Sequence, residues 1–185
     1  DEYLSGNIYQ KYCTAVEANK KYKGYFDLNV KVLSKNLPTK PVSSDIYITL
    51  GSPWIPVKVI RDFIIDTFKM PFNVQAKYKY ITYNSDYGIW EITNLWKNYY
   101  TFQNYVSLGT SRITGIAILE HTLNSKTITV YDYAKVGKKT TRTLNKNETL
   151  LAKKKQEELV KVFREWLDNH PSIRKELIDI YAPWP

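Results

Sequence analysis

The chain has 185 residues, of which 43% are hydrophobic and 24% are charged, and this composition excludes a wholly disordered protein. Its formal net charge of +9 favours an acidic partner, although solubility alone also accounts for a positive charge. Cys13 is the single cysteine, which excludes an internal disulfide and fits a reducing cytoplasm, and no apolar run approaches the ~20 residues needed to span a bilayer.

The first part of the chain, residues 1–36, is predicted to be helical. Ser5 or Asn7 caps a helix that runs to about Tyr22, and a second helix covers residues 28–36. The chain starts at Asp1 without a methionine and enters the first helix almost at once. We therefore expect it to be a piece of a longer polypeptide.

Residues 37–144 are predicted to form an α+β core, which begins with one strand and one helix. A short strand over Ile46–Leu50 leads through a turn, residues 51–56, into a helix over Val57–Phe68. Apolar residues recur along this helix at the spacing of a buried face. They are Val59, Ile60, Phe63, Ile64 and Phe68.

The next stretch is predicted to be mainly β structure. Period-two alternation over Gln75–Tyr83, turn residues at 84–88 and a partner strand over Ile89–Ile92 indicate an antiparallel hairpin. The pattern over Asn94–Gly109 has no clear period, and we predict a loop there, with a short strand as the alternative.

A helix and a second hairpin complete the predicted core. Thr110 or Ser111 caps the helix, which covers Ile113–Leu123. The hairpin pairs Thr127–Tyr133 with Thr140–Leu144.

The last part, residues 145–185, is predicted to be two helices. Asn147 caps a long helix that ends at about Asp168, and a final helix covers Ser172–Tyr181. The apolar stripe of the long helix is Leu151, Leu159, Val162, Phe163, Trp166 and Leu167. The order of elements predicts an α+β fold, a single compact domain in which several helices pack against two small antiparallel hairpins, with helical extensions at both ends.

The sequence offers no organised catalytic or metal-binding set. His121 and His170 are its two histidines, and neither has a cysteine or histidine neighbour at the spacing of a zinc site. Cys13 has no general base near it in the sequence, and the carboxylates are scattered. We therefore expect no catalytic residue, no metal and no cofactor in this chain, while an enzyme of unrecognised type stays an alternative.

Cationic side chains are concentrated between residues 135 and 155. This segment holds eight of them against one acid, Glu148, and runs from the predicted hairpin tip at residues 136–139 into the first turns of the long helix. Such a ridge attracts nucleic-acid phosphates, although a solvated helix face is the alternative. The candidate contacts are Lys135, Lys138, Lys139, Arg142, Lys146, Lys153 and Lys154.

The segment Gly109-Thr110-Ser111-Arg112 is a second candidate. A predicted helix N-terminus, two hydroxyls and an arginine converge there, and helix N-termini bind phosphate readily. Simple capping explains the Thr and the Ser equally well. Arg112 therefore joins the candidate contacts.

Six segments, in a fixed order, resemble one protein family. They are Tyr3–Ile8 (YLSGNI), Leu50–Pro56 (LGSPWIP), Gly109–Arg112 (GTSR), Ile118–Glu120 (ILE), Leu144–Thr149 (LNKNET) and Ala152–Glu157 (AKKKQE). Together they resemble an internal region of very large phage and conjugative-element polypeptides, in which an N6-adenine DNA methyltransferase module precedes a superfamily II helicase module. Phage antirestriction proteins of the methylase–helicase type belong to this group, and the resemblance covers nearly the whole chain.

The resemblance implies a place beside two catalytic units of a bacterial, cytoplasmic DNA-processing protein. This chain lacks the methylase's Asn/Asp-Pro-Pro-Tyr/Phe motif and the helicase's phosphate-binding and Asp-Glu-x-His motifs, so no catalytic residue is carried over. The implied function is a non-catalytic domain that binds or positions DNA, with the adjoining methylase and helicase domains as further partners. The alternative is a structural coupling module that docks the two units and has no DNA affinity of its own.

Overall fold

The computed structural model describes residues 4–37, 46–71 and 80–181. The chain forms two compact units, Asp1–Val42 and Ser43–Pro185. In the described residues helices dominate, and the strands form two separate two-stranded antiparallel sheets, both in the second unit. The predicted α+β class is therefore confirmed.

The first unit is a pair of helices, each within one residue of its predicted position. They are α1 (Ile8–Lys21) and α2 (Asp27–Lys35). Of the two predicted caps Asn7 is the one used, since its side-chain oxygen accepts a hydrogen bond from the Gln10 amide at 3.0 Å. Between the helices, the Asn19 side chain donates to the Asp27 carboxylate at 2.7 Å and accepts from the Phe26 amide at 2.9 Å, which holds the connection in place.

The second unit contains the other elements. Its helices are α3 (Val57–Phe68), α4 (Asn94–Lys97), a π-helix (Gln103–Ser107), α5 (Gly115–Leu123), α6 (Lys146–Asp168) and α7 (Pro171–Tyr181). Its strands are β1 (Ile81–Asn84), β2 (Ile89–Ile92), β3 (Tyr131–Val136) and β4 (Lys139–Leu144). Both predicted hairpins form, although residues 75–79 of the first predicted strand lie outside the described residues.

Aromatic side chains of α3 and α6 form the centre of the core. The Phe63 ring packs edge-on against Phe163, with 5.1 Å between ring centroids, and against Trp166 at 5.6 Å. The indole of Trp166 donates to the Asp66 carboxylate at 3.0 Å, so its one polar atom is satisfied. All five residues predicted on the buried face of α3 are buried, as the spacing predicts.

Polar side chains at the C-terminal end of α5 cover the outer edge of β2. The Asn124 amide accepts from the Trp90 amide and donates to the Trp90 carbonyl, both at 2.8 Å. One turn earlier, Glu120 accepts from the Ile92 amide at 2.7 Å and pairs with Lys97 at 2.9 Å. A short strand edge is thus closed by side chains of a helix, which prevents further strand pairing there.

The predicted strand over Ile46–Leu50 is wrong, although its alternation is real. Ile46 and Leu50 are buried, while Tyr47 and Thr49 are exposed. No strand of the described residues pairs with this segment, and it ends in a turn in which the Ser52 amide donates to the Thr49 carbonyl at 3.1 Å. Residues 46–50 therefore alternate between buried and exposed as a strand would, but without a hydrogen-bonded neighbouring strand in the described residues they are not part of a sheet.

The stretch over Asn94–Gly109 contains α4 and the π-helix, so the prediction of a loop or strand is wrong. The side chain that connects the elements of this stretch is Asn104, which is completely buried. The Asn104 amide nitrogen donates to the carbonyls of Lys97 and Tyr99, and its oxygen accepts from the amide of Ile116 at the start of α5. These bonds span 7, 5 and 12 positions and match neither the helical nor the strand spacing, so no local period reveals them.

Two predicted helix caps are also corrected. The helix α5 begins at Gly115 after Thr114, because the Thr110 hydroxyl accepts from the Arg112 and Ile113 amides, both at 3.2 Å, in a separate turn. The cap of α6 is Asn145, two residues before the predicted Asn147, and it accepts from the Glu148 amide at 3.0 Å.

One residue of the predicted apolar stripe of α6 is misplaced. Leu151 is 49% exposed, and its neighbour Ala152 is completely buried in its stead. The helix therefore presents a smaller residue to the core at this turn than the apolar pattern predicts.

Candidate nucleic-acid interface

The hairpin of β3 and β4, residues 131–144, projects from the unit, and we call it the basic arm. Every residue of β4 and every residue of β3 after Tyr131 is exposed. Val136 pairs with Lys139 across a two-residue turn, and of the two turn residues only Gly137 has a positive φ, of 64°. Strands of six residues give the arm a length of about 20 Å.

The register of the arm divides its cations between its two faces. Lys135 pairs with Thr140, and Tyr133 pairs with Arg142, so these side chains share one face. The pairing of Val136 with Lys139 places Lys139 on the opposite face, and Lys138 lies in the turn. The arm therefore presents positive charge on both faces and at its tip.

The charged ends of the arm's cations are free of acidic partners. Within the described part of the chain, the side chains of Lys135, Lys138 and Lys139 form no hydrogen bond or ion pair. Arg142 lies over the ring of Tyr131, with 3.5 Å between the guanidinium carbon and the ring centroid. All four groups are thus available to an external anion.

Backbone hydrogen bonds fix the base of the arm to α6. The Asn145 amide donates to the Val130 carbonyl at 2.9 Å, and the Val130 amide donates to the Thr149 hydroxyl, also at 2.9 Å. Thr149 is a buried polar residue of this helix. A solvated two-stranded hairpin is marginally stable alone, so this attachment determines where the arm points.

Arg112 belongs to the base of the arm and is not free for a phosphate. Its guanidinium donates to the Asp132 carboxylate at 2.6 Å and to the Tyr131 carbonyl at 2.8 Å. The Asn145 amide nitrogen donates to the second Asp132 oxygen at 2.9 Å. The hydrogen bond from Arg112 lowers the pKa of the Asp132 carboxyl below its usual value, and the bond from Asn145 acts in the same direction.

The lowered pKa of Asp132 predicts a loss of order at the arm's base in acid. A carboxyl whose pKa is depressed in the folded state stabilises the fold above its unfolded pKa, and that contribution disappears as the pH falls through the folded pKa. We expect backbone amide shifts of Tyr131 and Asn145 to move in NMR spectra over this acid range. In the Asp132→Asn protein these amides should lack that transition; shifts that titrate equally in both proteins would refute the assignment.

The turn at residues 109–112 is poorly suited to an anion. The helix that follows begins only at Gly115, and the Ser111 hydroxyl lies 3.4 Å from one oxygen of the Glu148 carboxylate. A phosphate bound at this turn would meet that negative charge. The Thr110 hydroxyl serves a local turn and the Ser111 hydroxyl contacts Glu148, so the alternative explanation, capping of the following helix, is also wrong.

The lysines of α6 divide into free and engaged groups. Lys146, Lys153 and Lys154 are exposed, and the seven-residue spacing of the first two places them on nearly one side of the helix. The Lys155 ammonium instead donates to the Ser107 carbonyl at 2.6 Å and to Glu158 at 2.8 Å, joining α6 to the π-helix. The charge of the arm therefore continues onto the first turns of α6 without Lys155.

Two other kinds of chemical site concern the described residues, metal clusters and polar clefts. These residues contain no group of three or more His, Cys, Asp and Glu side chains able to hold a metal ion. A polar cleft between β2 and α5 is lined by Glu91, Lys97 and Glu120, but both Glu120 oxygens are already bonded within the fold. Within the same part of the chain, no helix combines the length and the apolar character that crossing a membrane requires.

Two features of the second unit are absent from the sequence-based prediction. One is the stack of Arg142 on Tyr131, which counting residue pairs outward from the Gly137–Lys138 turn would have revealed. The other is a group of exposed apolar side chains around α4 and the π-helix. Its members are Leu95 (57% exposed), Tyr100 (73%), Phe102 (62%) and Val106 (55%).

Comparison with known proteins identifies a family for most of the chain. Comparisons with curated proteins and with solved structures each give no match. A family model described as "Domain of unknown function (DUF8437)" matches residues 49–183, a range that includes every element from α3 to α7. The chain therefore belongs to the DUF8437 family.

Proposed function

We propose that this chain is a non-catalytic domain that binds or positions DNA, acting in the bacterial cytoplasm as part of a methylase–helicase polypeptide. The observation that supports the proposal is the basic arm, whose cations are exposed on both faces and at the tip and have no acidic partner in the described residues. Unpaired cations on an element attached firmly at its base attract a polyanion.

The charge pattern favours a long polyanion over a small anion. The arm alone is about 20 Å long, and the free lysines of α6 continue from its base. Double-stranded DNA carries one negative charge per about 1.7 Å of helix axis, so charges spread over this length meet several phosphates at once. Arg112 is excluded from the proposed contacts because Asp132 already neutralises it.

A salt titration of the unmodified protein tests the proposal. Seven phosphate contacts, from Lys135, Lys138, Lys139, Arg142, Lys146, Lys153 and Lys154, predict a slope of log affinity against log salt concentration of about −6 on duplex DNA. Fluorescence anisotropy with a labelled duplex measures it, and a labelled single strand of the same length is the comparison. Absent binding, or an affinity that does not change with salt, would contradict the proposal.

A second candidate function is a structural coupling module that docks neighbouring units. Four large apolar side chains within residues 95–106 are exposed, which favours this function, since a partner protein would cover such side chains. This function predicts little DNA affinity and a loss of docking when Tyr100 and Phe102 are replaced by Ser. The salt titration separates the two candidates, because the coupling module has no phosphate contacts to lose.

A further inference from the structure

Arg142 differs from the other cations of the arm in how it is held. Its guanidinium carbon lies 3.5 Å from the Tyr131 ring centroid, and Tyr133 stands directly opposite it in the strand pairing, on the same face. Tyr131 is half-buried, and its carbonyl accepts from Arg112. The residue that supports Arg142 is therefore held at the base of the arm through its backbone.

Stacking through the ring face leaves the edge of the guanidinium available. A planar guanidinium on an aromatic ring keeps its N–H groups in one plane, directed outward. The Arg142 side chain forms no hydrogen bond or ion pair within the described residues. The group is thus oriented in advance, so little conformational entropy is lost when it binds two acceptors side by side.

We propose that Arg142 is the bidentate anchor of the arm on duplex DNA, an inference that rests on the proposed function. Its two parallel N–H groups donate to a pair of acceptors, either two oxygens of one phosphate or the O6 and N7 atoms of a guanine in the major groove. A major groove about 12 Å wide admits a two-stranded ribbon such as the arm. The lysines add charge without fixing the orientation.

Replacing Arg142 by Lys tests the anchor, because it keeps the charge and removes the planar fork. We expect duplex affinity to fall about tenfold, the size of one good bidentate contact, with the slope of the salt titration unchanged. Tyr131→Leu should lower affinity in the same direction, whereas Tyr131→Phe retains the ring and should bind as the unmodified protein. The matched control is Arg61→Lys, the same exchange at an exposed position of α3 outside the arm, where we expect no change in affinity beyond about twofold.

The outcomes separate this inference from the proposed function. If Arg142→Lys binds duplex DNA as tightly as the unmodified protein, the anchor is refuted while DNA binding stands. If the unmodified protein binds no DNA, the proposed function itself fails. NMR amide spectra of the variants establish that the arm is still paired, so that a loss of affinity reports on the contact.

A duplex in which deazaguanine replaces guanine distinguishes the two acceptor pairs. This base lacks the N7 acceptor. A tenfold effect of Arg142→Lys that persists on this duplex assigns the contact to a phosphate, and one that disappears assigns it to guanine. Equal affinity of the two proteins on both duplexes refutes either contact.

Discussion

Replacing Lys135, Lys138 and Lys139 together by Ala is expected to lower duplex affinity by a factor on the order of 10² to 10³ near 0.1 M salt. Each phosphate contact contributes about 0.9 to the salt slope, so three lost contacts remove about 2.7 decades at this concentration. The slope itself should become shallower by about 2.7. Stability should not change, because these three side chains are exposed and bond to nothing in the described residues.

A variant of equal charge makes this prediction specific to the arm. Lys31, Lys58 and Lys175 are also exposed lysines, each on a helix, and replacing them by Ala removes the same number of charges. We expect this control to bind with nearly unchanged affinity and slope. Equal losses in the two triple variants would mean that net charge, and not the arm, attracts DNA. An arm variant that binds like the unmodified protein would remove the arm from the interface altogether.

The sequence predicts the arm's existence and its tip but not its surroundings. A glycine–lysine pair between two polar strands indicates a tight hairpin, and the register follows from it. The predicted first strand begins at Thr127, whereas pairing begins at Tyr131. Residues 128 and 130 are buried, and the Val130 backbone bonds to Asn145 and Thr149 in place of a strand. Contacts of this kind have no local signal.

The candidate contacts differ in how far the sequence could predict them. Exposure of the arm's lysines follows from charge alone, since an unpaired lysine is rarely buried. The engagement of Arg112 and Lys155 depends on Asp132 and the Ser107 carbonyl, which are 20 and 48 positions away in sequence. The cap of α6 is similar. Asn145 and Asn147 are equally good cap residues by local sequence, and Asn145, which forms the cap, also donates to Asp132.

The stretch over residues 94–109, which the sequence predicts poorly, contains a side chain that connects three elements of the fold. Thr114, the residue before α5, makes no side-chain cap bond, and the Asn104 oxygen supplies the missing acceptor to the Ile116 amide at 2.8 Å. The nitrogen of the Asn104 side-chain amide donates to the carbonyls of Lys97 and Tyr99, at 3.1 and 2.8 Å. One completely buried side chain thus fixes α4, the π-helix and the start of α5 together.

Replacing Asn104 by Ala is therefore expected to lower the free energy of unfolding by on the order of 4 kcal/mol. Three backbone groups lose their partner, and each buried group left unsatisfied costs about 1–3 kcal/mol. Urea unfolding measures this loss, and hydrogen exchange at the Ile116 amide should accelerate.

Asn104→Asp should be no better, since it would direct a carboxylate at two carbonyl oxygens. Asn169→Ala, at an exposed position after α6, is the control and should change stability by no more than about 0.5 kcal/mol. A loss below about 1 kcal/mol for Asn104→Ala would show that other groups satisfy these backbone atoms and that α5 does not need this side chain.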